Sequence, residues 1–580
     1  MLHTIIKPNL YQDSVSLMLL ANKLSSMDGV EQISIMMGTP ANKDIFKNTG
    51  LYTPELDDAK PSDMCIVIRT EDPEIIDTVL EQIDSFIQDQ SSSGSANDYE
   101  NVRTWDRALQ QLPDANMALL SIPGQHAATE AHKALDRGLH VFMFSDNVSK
   151  EDEKELKDKA HDKGLLVMGP DCGTGILSGV PLAFANVVEE GNIGIVGASG
   201  TGIQEVSSLI DRLGGGITHA IGTGGRDLKG DIGAVTMLDG IAALEQDPNT
   251  KVIVVISKPP EKAVREQVVQ KLRGLSKPAV AVFMGEKPEA HETNIQYAYT
   301  LEETARYAIE LAKGQKVDAF DEAKRPNLTL HANQTAIKGL YSGGTLASEA
   351  AMLLYEVLGI EKSNNEEGYL LKAANHEVID LGDDKYTKNK PHPMIDPSTR
   401  NTFIEEAARD EATGVILFDT VLGYGSHDDP AGEVVKAVNN AKSIASEQGK
   451  ELYFVTSICG TSKDPQTFEE QKNKLIAANV IVEESNVRAV KTSLELLGKE
   501  LPTTTTDLPV EEKAAQPEAE VSEVSQKIMD LLVNKPRVVN VGLASFAPTV
   551  INHGGKVVQY DWQPVAGGNE RLAKILAKLQ

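Results

Sequence analysis

The sequence is poor in cysteine, in aromatic residues and in positive charge, and each shortage argues against a class of protein. Three cysteines stand among 580 residues: Cys65, Cys172 and Cys459. No pair has metal-ligand spacing, and an odd, sparse set does not build a disulfide framework. Aromatic residues make up 5% of the chain, which suits glycine-rich α/β units with Val, Ile and Leu strands. Lys and Arg number 56 against 85 Asp and Glu, for a net charge of −29. That balance argues against a broad basic face for nucleic acid. An anionic ligand would need local cations or backbone N–H groups. No apolar run approaches the roughly 18–20 residues that span a bilayer. Met1-Leu2-His3-Thr4 opens no basic leader. A cytoplasmic protein without a membrane segment is the expectation.

What is present is a phrase written twice. Ile193-Gly194-Ile195-Val196 runs into Gly197-Ala198-Ser199-Gly200-Thr201, and Ile337-Lys338-Gly339-Leu340-Tyr341 runs into Ser342-Gly343-Gly344-Thr345. Each is an apolar strand feeding an amphipathic helix through a turn of small residues. Such a turn exposes the free N–H groups of a helix N-terminus, where an anion can bind. The plainer reading is that Ser, Thr and Gly only cap two helices. Two copies in one chain point instead to two α/β units aiming helix N-termini at one phosphate or carboxylate.

The periodicity divides the chain into six stretches. Residues 1–95 read as a small α/β domain closed by the linker-like Gln88-Asp89-Gln90-Ser91-Ser92-Ser93-Gly94-Ser95. Residues 99–187 alternate strand and helix as a Rossmann-type unit. Residues 188–325 and 330–500 each match a flavodoxin-like doubly wound pattern. Residues 501–522 are rich in Thr, Pro, Ala and acidic residues and read as a linker. Residues 523–580 read as a short appended α/β unit ending in a helix. The expected fold class is therefore α/β, with tandem Rossmann-like and flavodoxin-like doubly wound parallel sheets.

Several further residues have types and positions suited to chemistry. Gly225 and Arg226 follow a glycine-rich turn at a strand end, where ligands gather in such sheets, and the Arg226 guanidinium could fork onto a phosphate or carboxylate. His392 lies in a long Pro-rich loop, and His427 follows the strand ending near Phe418. Both are general-base candidates. The alternatives are a surface ion pair for Arg226, a rigid Pro-locked loop for His392 and an Asp-Asp-Pro helix start for His427. Cys172 and Cys459 read as small packing residues. No Gly-x-x-x-x-Gly-Lys-Ser/Thr loop is present, and Gly197, Gly200 and Gly202 lack Gly-x-Gly-x-x-Gly spacing.

Residues 113–320 resemble the α subunit of succinyl-CoA synthetase. The likeness rests on Pro123 after a strand, on Gly169-Pro170-Asp171-Cys172, on Gly194-Ile195-Val196 leading to Ser199-Gly200-Thr201, and on Gly222-Thr223-Gly224-Gly225-Arg226-Asp227. Residues 332–500 resemble the carboxyl domain of the β subunit, so the chain looks like fused synthetase α and β modules. Through residue 500, with His392-Pro393-Met394-Ile395-Asp396-Pro397 and the Tyr341–Thr345 turn, it resembles an FdrA protein. That resemblance implies a subunit of an oxamate carbamoyltransferase, which converts oxalurate and phosphate to oxamate and carbamoyl phosphate in allantoin breakdown. Residues 540–568 resemble the start of a companion subunit of the same system. The implied partners are companion subunits and a small anionic substrate, with a homodimer also plausible.

The chain departs from the synthetase in three ways. No CoA-phosphate loop appears in residues 1–112, which speaks against CoA, although Pro123 and Gly124 could line a nucleotide-like cleft. The region of the swinging phosphohistidine is shorter and lacks its glycines, leaving His291 as a weak carrier candidate. Nothing resembles the ATP-grasp domain. No metal is expected, no cofactor is assigned with CoA in doubt, and phosphate enters as substrate. The anion would rest on Ser199, Gly200 and Thr201 from one side and Ser342, Gly343, Gly344 and Thr345 from the other. The competing functions are an acyl-CoA ligase component and a non-catalytic scaffold.

Overall fold

The computed structural model describes residues 1–580 except 9, 11, 26, 97–100, 319, 322, 362–365, 388, 389, 502–507, 514–523 and 565–580, and except the side chains of 15, 41 and 88–96. The protein is α/β, and the described residues form four sheets.

The first is a three-stranded antiparallel sheet with Met64–Arg69 between Leu2–Lys7 and Gln32–Met37. Its central strand alternates strictly. Met64, Ile66 and Ile68 face the helices Ser14–Ser25 and Ile75–Ala96. Cys65 and Val67 face Phe46, Leu51 and Leu56 on the opposite side. This two-residue period is the reason both faces can be buried. The polar run Gln88–Ser95 corrects the linker expectation, because the helix continues through it to Ala96.

The Rossmann-type sheet contains six parallel strands in the order Asn101–Val102, Lys556–Tyr560, Arg537–Val541, Met117–Leu120, His140–Met143 and Val167–Met168. The C-terminal stretch, expected as an appended unit, is thus part of this sheet. Its strand Arg537–Val541 pairs with Met117–Leu120 in the register Val538↔Met117 to Val541↔Leu120. Val539 and Val541 share a core with Leu120, Val141 and Leu135, and Ile528, Leu531 and Val538 join another with Met117 and Phe142. Fully burying each such aliphatic side chain stabilises by about 1.5–3 kcal/mol, so this segment is held by core formation. The C-terminal helix expected beyond it lies outside the described residues.

The third sheet has nine strands. Glu190–Ala198 lies between Ile217–Gly222 and Val252–Ser257, followed outward by Ala279–Phe283, Ile295–Ala298 and His291–Glu292. The hairpin Thr174–Leu177 and Val180–Ala183 closes one edge, so residues assigned above to the Rossmann-type unit belong here. Val510–Glu511 closes the other edge beside His291–Glu292, so part of the expected linker is a strand.

The fourth sheet has the order Tyr369–Ala373, His376–Asp380, Ala336–Tyr341, Thr413–Val421, Tyr453–Cys459 and Ile481–Glu483, parallel except for its first strand. The third and fourth sheets share one core. Helix Gly200–Arg212 contributes Ile203, Val206, Leu209 and Ile210, and helix Gly344–Leu358 contributes Leu346, Ala347 and Leu353. This common core sets the relation between the two helix N-termini.

Candidate functional site

The two small-residue turns meet across this joint. Ser199 caps its helix by accepting from Gly202 N at 3.0 Å, and its hydroxyl lies 2.5 Å from Thr345 Oγ1. Thr345 N donates to Thr201 Oγ1 at 3.3 Å. The two caps therefore interlock, with Ser199 and Thr345 buried in the contact. Ser342 and Gly343 differ from the expectation for another reason. Their N–H groups donate to Asp419 Oδ1 at 2.8 Å and Oδ2 at 2.7 Å. Arg400 completes this cap through Ser342 Oγ at 2.9 Å and the Asp419 carbonyl at 2.7 Å. The carboxylate already occupies those two donors, so neither is offered to a ligand.

The N–H groups of Gly200, Thr201 and Gly344 remain, and all three residues are partly exposed. A second feature points to the same place. The Thr174 hydroxyl is buried and has no hydrogen-bond partner. It lies 3.3 Å from the position a Cβ would take on Gly200. A buried hydroxyl without a partner is costly, and an oxyanion seated on Gly200 would satisfy it.

Two carboxyls and one ammonium frame this place. Asp380 ends the strand His376–Asp380 and accepts from Gly382 N at 3.0 Å. Its Oδ2 would overlap a Cβ on Gly344, so the backbone of that helix start and the carboxyl are in contact. Enclosure by protein pushes the Asp380 pKa up to about 6, although Lys258 and the Gly382 N–H pull it down. Asp171 is pushed up to about 6 by the same cause, again opposed first by Lys258. Asp171 is nonetheless accessible to solvent. Lys258, exposed after strand Val252–Ser257, serves both carboxyls electrostatically.

His392 stands beside this group. Its Nδ1 accepts from Met394 N at 3.2 Å, which leaves the proton on Nε2. Nε2 lies 2.5 Å from the Cβ position of Gly382, itself 3.2 Å from Asp380 Oδ1. Desolvation holds the imidazole down at about 4, so it is neutral at ordinary pH. His427 is set apart in a turn. Its Nδ1 accepts from Asp429 N at 3.0 Å, and its backbone N–H donates to Met394 O at 2.8 Å. It lines a small cavity with Arg400, Met394 and Ser342.

The remaining expected residues lie in structural roles. Arg226 donates to Val148 O at 2.8 Å and pairs with Glu153 at 2.9 Å. It belongs to a clamp in which the fully buried Lys157 pairs with Glu153 at 3.0 Å and Asp227 at 2.7 Å. Both of the Arg226 contacts fall on Nη2. Gly225 faces Asp171, with a Cβ position 3.8 Å from Oδ2. His291 corrects the loop expectation: it lies in strand His291–Glu292, buried, accepting from Tyr297 N at 3.1 Å. A side chain fixed in a paired strand is not a swinging carrier. Pro123 caps helix Gly124–Asp136, and Gly124 packs so closely on Asp146 that a Cβ would collide with its carbonyl oxygen. Cys172 and Cys459 are buried, and desolvation raises both thiols, Cys172 to about 12.

Two residues with a readable signal escaped the sequence reading. Glu205 and Glu349 both stand four residues after the threonine of their turn, Thr201 and Thr345. They meet at Asn486, whose N–H donates to Glu205 at 3.1 Å and whose side-chain amide donates to Glu349 at 2.8 Å. The duplication thus extends beyond the turns into the shared helix interface.

The comparisons with known proteins agree with this architecture. The family described as CoA-ligase matches residues 340–496, the CoA binding domain matches 188–285, and the family described as AllF, heavy metal-associated domain, matches 1–103. Over 510 residues the chain is 43% identical to the uncharacterized protein YahF of Escherichia coli (strain K12), covering 85% of this chain and 98% of that protein. The chain belongs to the YahF family. This YahF-family chain is also 29% identical to the succinate–CoA ligase [ADP-forming] subunit alpha of Aquifex aeolicus over 240 residues, 36% of this chain and 77% of that subunit. It is 27% identical to subunit alpha 2 of the corresponding Archaeoglobus fulgidus ligase over 179 residues, 30% of this chain and 60% of that subunit. The YahF-family chain is thus similar to the succinyl-CoA synthetase superfamily.

The heavy-metal description of the first domain does not fit its residues. Lys7–Ser14 contains no cysteine. Cys65, the single thiol there, is buried with its pKa pushed up to about 11 by desolvation. Among the described residues no cluster of three His, Cys, Asp or Glu side chains could hold a metal. Within the segment matched as a CoA binding domain, Gly200 and Thr201 begin a helix, and the unpartnered Thr174 hydroxyl lies beside Gly200. No helix among the described residues is long and apolar enough to cross a membrane.

Proposed function

We propose that the protein is the oxyanion-handling subunit of a carbamoyltransferase, acting on oxalurate and phosphate together with companion subunits. The observation that carries this reading is the contact between two helix starts whose Gly200, Thr201 and Gly344 N–H groups have no protein partner among the described residues, with the unpartnered Thr174 hydroxyl beside Gly200. Each helix N-terminus carries about half a positive charge. Together they hold the phosphate and, later, the phosphoryl group of carbamoyl phosphate. A phosphate oxygen attacks the ureido carbon of oxalurate. The carbon–nitrogen bond breaks, the phosphate proton passes to the departing nitrogen, and oxamate and carbamoyl phosphate result. The preorganised N–H groups favour the charge that moves between oxygens during this transfer. The fixed position of His291 supports a route without a phosphohistidine.

A second reading is an acyl-CoA ligase component. It is favoured by the CoA-ligase and CoA binding descriptions of the matched families and by the succinate–CoA ligase relatives. The same N–H groups would then hold an acyl phosphate on its way to a thioester. Incubating the full chain with candidate companion subunits, oxalurate and phosphate, without CoA or ATP, separates the two. Carbamoyl phosphate that depends on this chain supports the transferase. Thioester formed only after CoA and ATP are added supports the ligase, and no product under either condition removes both.

A further inference from the structure

We propose that Asp380 makes the anion site proton-coupled: each doubly charged oxyanion that settles on the N–H groups of Gly200, Thr201 and Gly344 enters with one proton, carried by the Asp380 carboxyl. The proposal rests on the reading of this place as an anion site. It adds a residue and a proton to that reading.

The geometry is specific. Asp380 Oδ1 accepts from Gly382 N at 3.0 Å, and Oδ2 lies against Gly344, within the space a Cβ would need. An oxyanion on the Gly344 N–H group would therefore meet Oδ2 directly. Two anions in contact repel, whereas a protonated carboxyl donates a hydrogen bond to the same oxygen. The charged and titratable groups facing Asp380 come from every side. They are Lys258 after strand Val252–Ser257, Asp383 in its own loop, Asp419 from strand Thr413–Val421 on the far side of Ala336–Tyr341, and the His392 ring beside Gly382. Both oxygens of Asp419 already accept from the Ser342 and Gly343 N–H groups. His392 is neutral with Nδ1 already accepting from Met394 N. Asp171 lies against Gly225, with Oδ2 3.8 Å from its Cβ position. Asp380 is thus the acid in contact with the helix start, and its raised pKa of about 6 places its proton within reach of neutral pH.

The test is calorimetric titration of the full chain with sulfate, which neither gains nor loses a proton between about pH 5 and pH 8. Measurements in two buffers of different ionisation enthalpy read proton uptake directly. At pH 7.5 the wild type is expected to take up close to one proton per sulfate, with affinity rising nearly tenfold for each pH unit from 8 down to 7. Asp380→Asn keeps the acceptor for Gly382 N. It should bind sulfate with no uptake and no pH dependence, and more tightly than wild type at pH 8. Lys258→Met should weaken binding but leave the uptake intact. Undiminished uptake in Asp380→Asn overturns the proposal, as does wild-type binding without uptake, and both outcomes leave the anion site standing. Failure of wild type and Asp380→Asn alike to bind sulfate or phosphate removes the anion site itself, and the proposal with it.

Discussion

The hydroxyls of Ser199 and Thr345 lie 2.5 Å apart across the joint between the nine-stranded and six-stranded sheets. This contact brings two helix starts from separate sheets to one point. The Thr345 N–H to Thr201 Oγ1 bond at 3.3 Å fixes their register. Replacing Thr345 with Val removes one hydroxyl without changing the side-chain shape. The expected cost is about 0.5–1.5 kcal/mol, read as a lowered thermal midpoint, with loosened amide-exchange protection at both helix starts. Loosening at only one of them would contradict an interlocked joint.

Gly344→Ala tests the anion site by crowding it. The added methyl would overlap Asp380 Oδ2, so the carboxyl beside the Gly344 N–H group must shift. Phosphate or sulfate affinity should fall at least tenfold, as measured by calorimetry, while the far-ultraviolet circular dichroism is unchanged. Undiminished binding would place the anion elsewhere.

The buried clamp around Lys157 predicts a large stability effect. Its ammonium pairs with Glu153 and Asp227 and also donates to the Thr223 carbonyl at 2.9 Å. Lys157→Met leaves two carboxylates without their shared cation, and breaking a buried pair in this way costs about 3–5 kcal/mol. The first thermal transition should drop by several degrees. Lys150→Met is the control, since Lys150 pairs only at the surface with Asp231 and should change little. Equal effects from the two substitutions would contradict the clamp.

The C-terminal strand makes a prediction about the Rossmann-type sheet. Val539 is fully buried in strand Arg537–Val541, beside Met117–Leu120. Val539→Asp places an unpaired charge in a core. Amide exchange should accelerate along Met117–Leu120, far away in sequence, and remain slow in helix Gly200–Arg212. Unchanged protection in Met117–Leu120 would show that the C-terminal segment does not complete that sheet.

Glu349 sets a pH dependence. Burial pushes its pKa up to about 8 from an ordinary 4.5, against the Leu301 N–H and Asn486 amide that pull it down. Between those values the folded protein holds a proton that the unfolded chain has released. Stability from this group therefore falls as pH rises from about 4.5 to about 8. Thermal midpoints measured across that range should decline for wild type and decline less steeply for Glu349→Gln. Parallel profiles would contradict the assignment.

The α/β class and the strand–turn–helix units were legible because their signals are local. Apolar runs such as Val252–Ile256 and the turns at Ser199 and Ser342 announce themselves within a short window. The pairing of Val538 with Met117 was not legible, since it joins segments across most of the chain and both read only as buried strands. Gln88–Ser95 misled because its polar composition matches a linker, while the helix beginning at Ile75 continues through it. Around the candidate site, the turns were visible but Asp380, Thr174 and Lys258 were not. Each matters through a neighbour from another element, and nothing in its own sequence context marks it. The capture of the Ser342 and Gly343 N–H groups by Asp419 is likewise a tertiary fact. Glu205 and Glu349 could have been found by extending the duplicated phrase by one helical turn.

The most direct test of the central claim is a crystal structure of the full chain grown with phosphate at saturating concentration. A phosphate is expected on the N–H groups of Gly200, Thr201 and Gly344, with one oxygen on the Thr174 hydroxyl and another facing Asp380. An ordered joint with no anion there, or phosphate bound only at other surfaces, would contradict it.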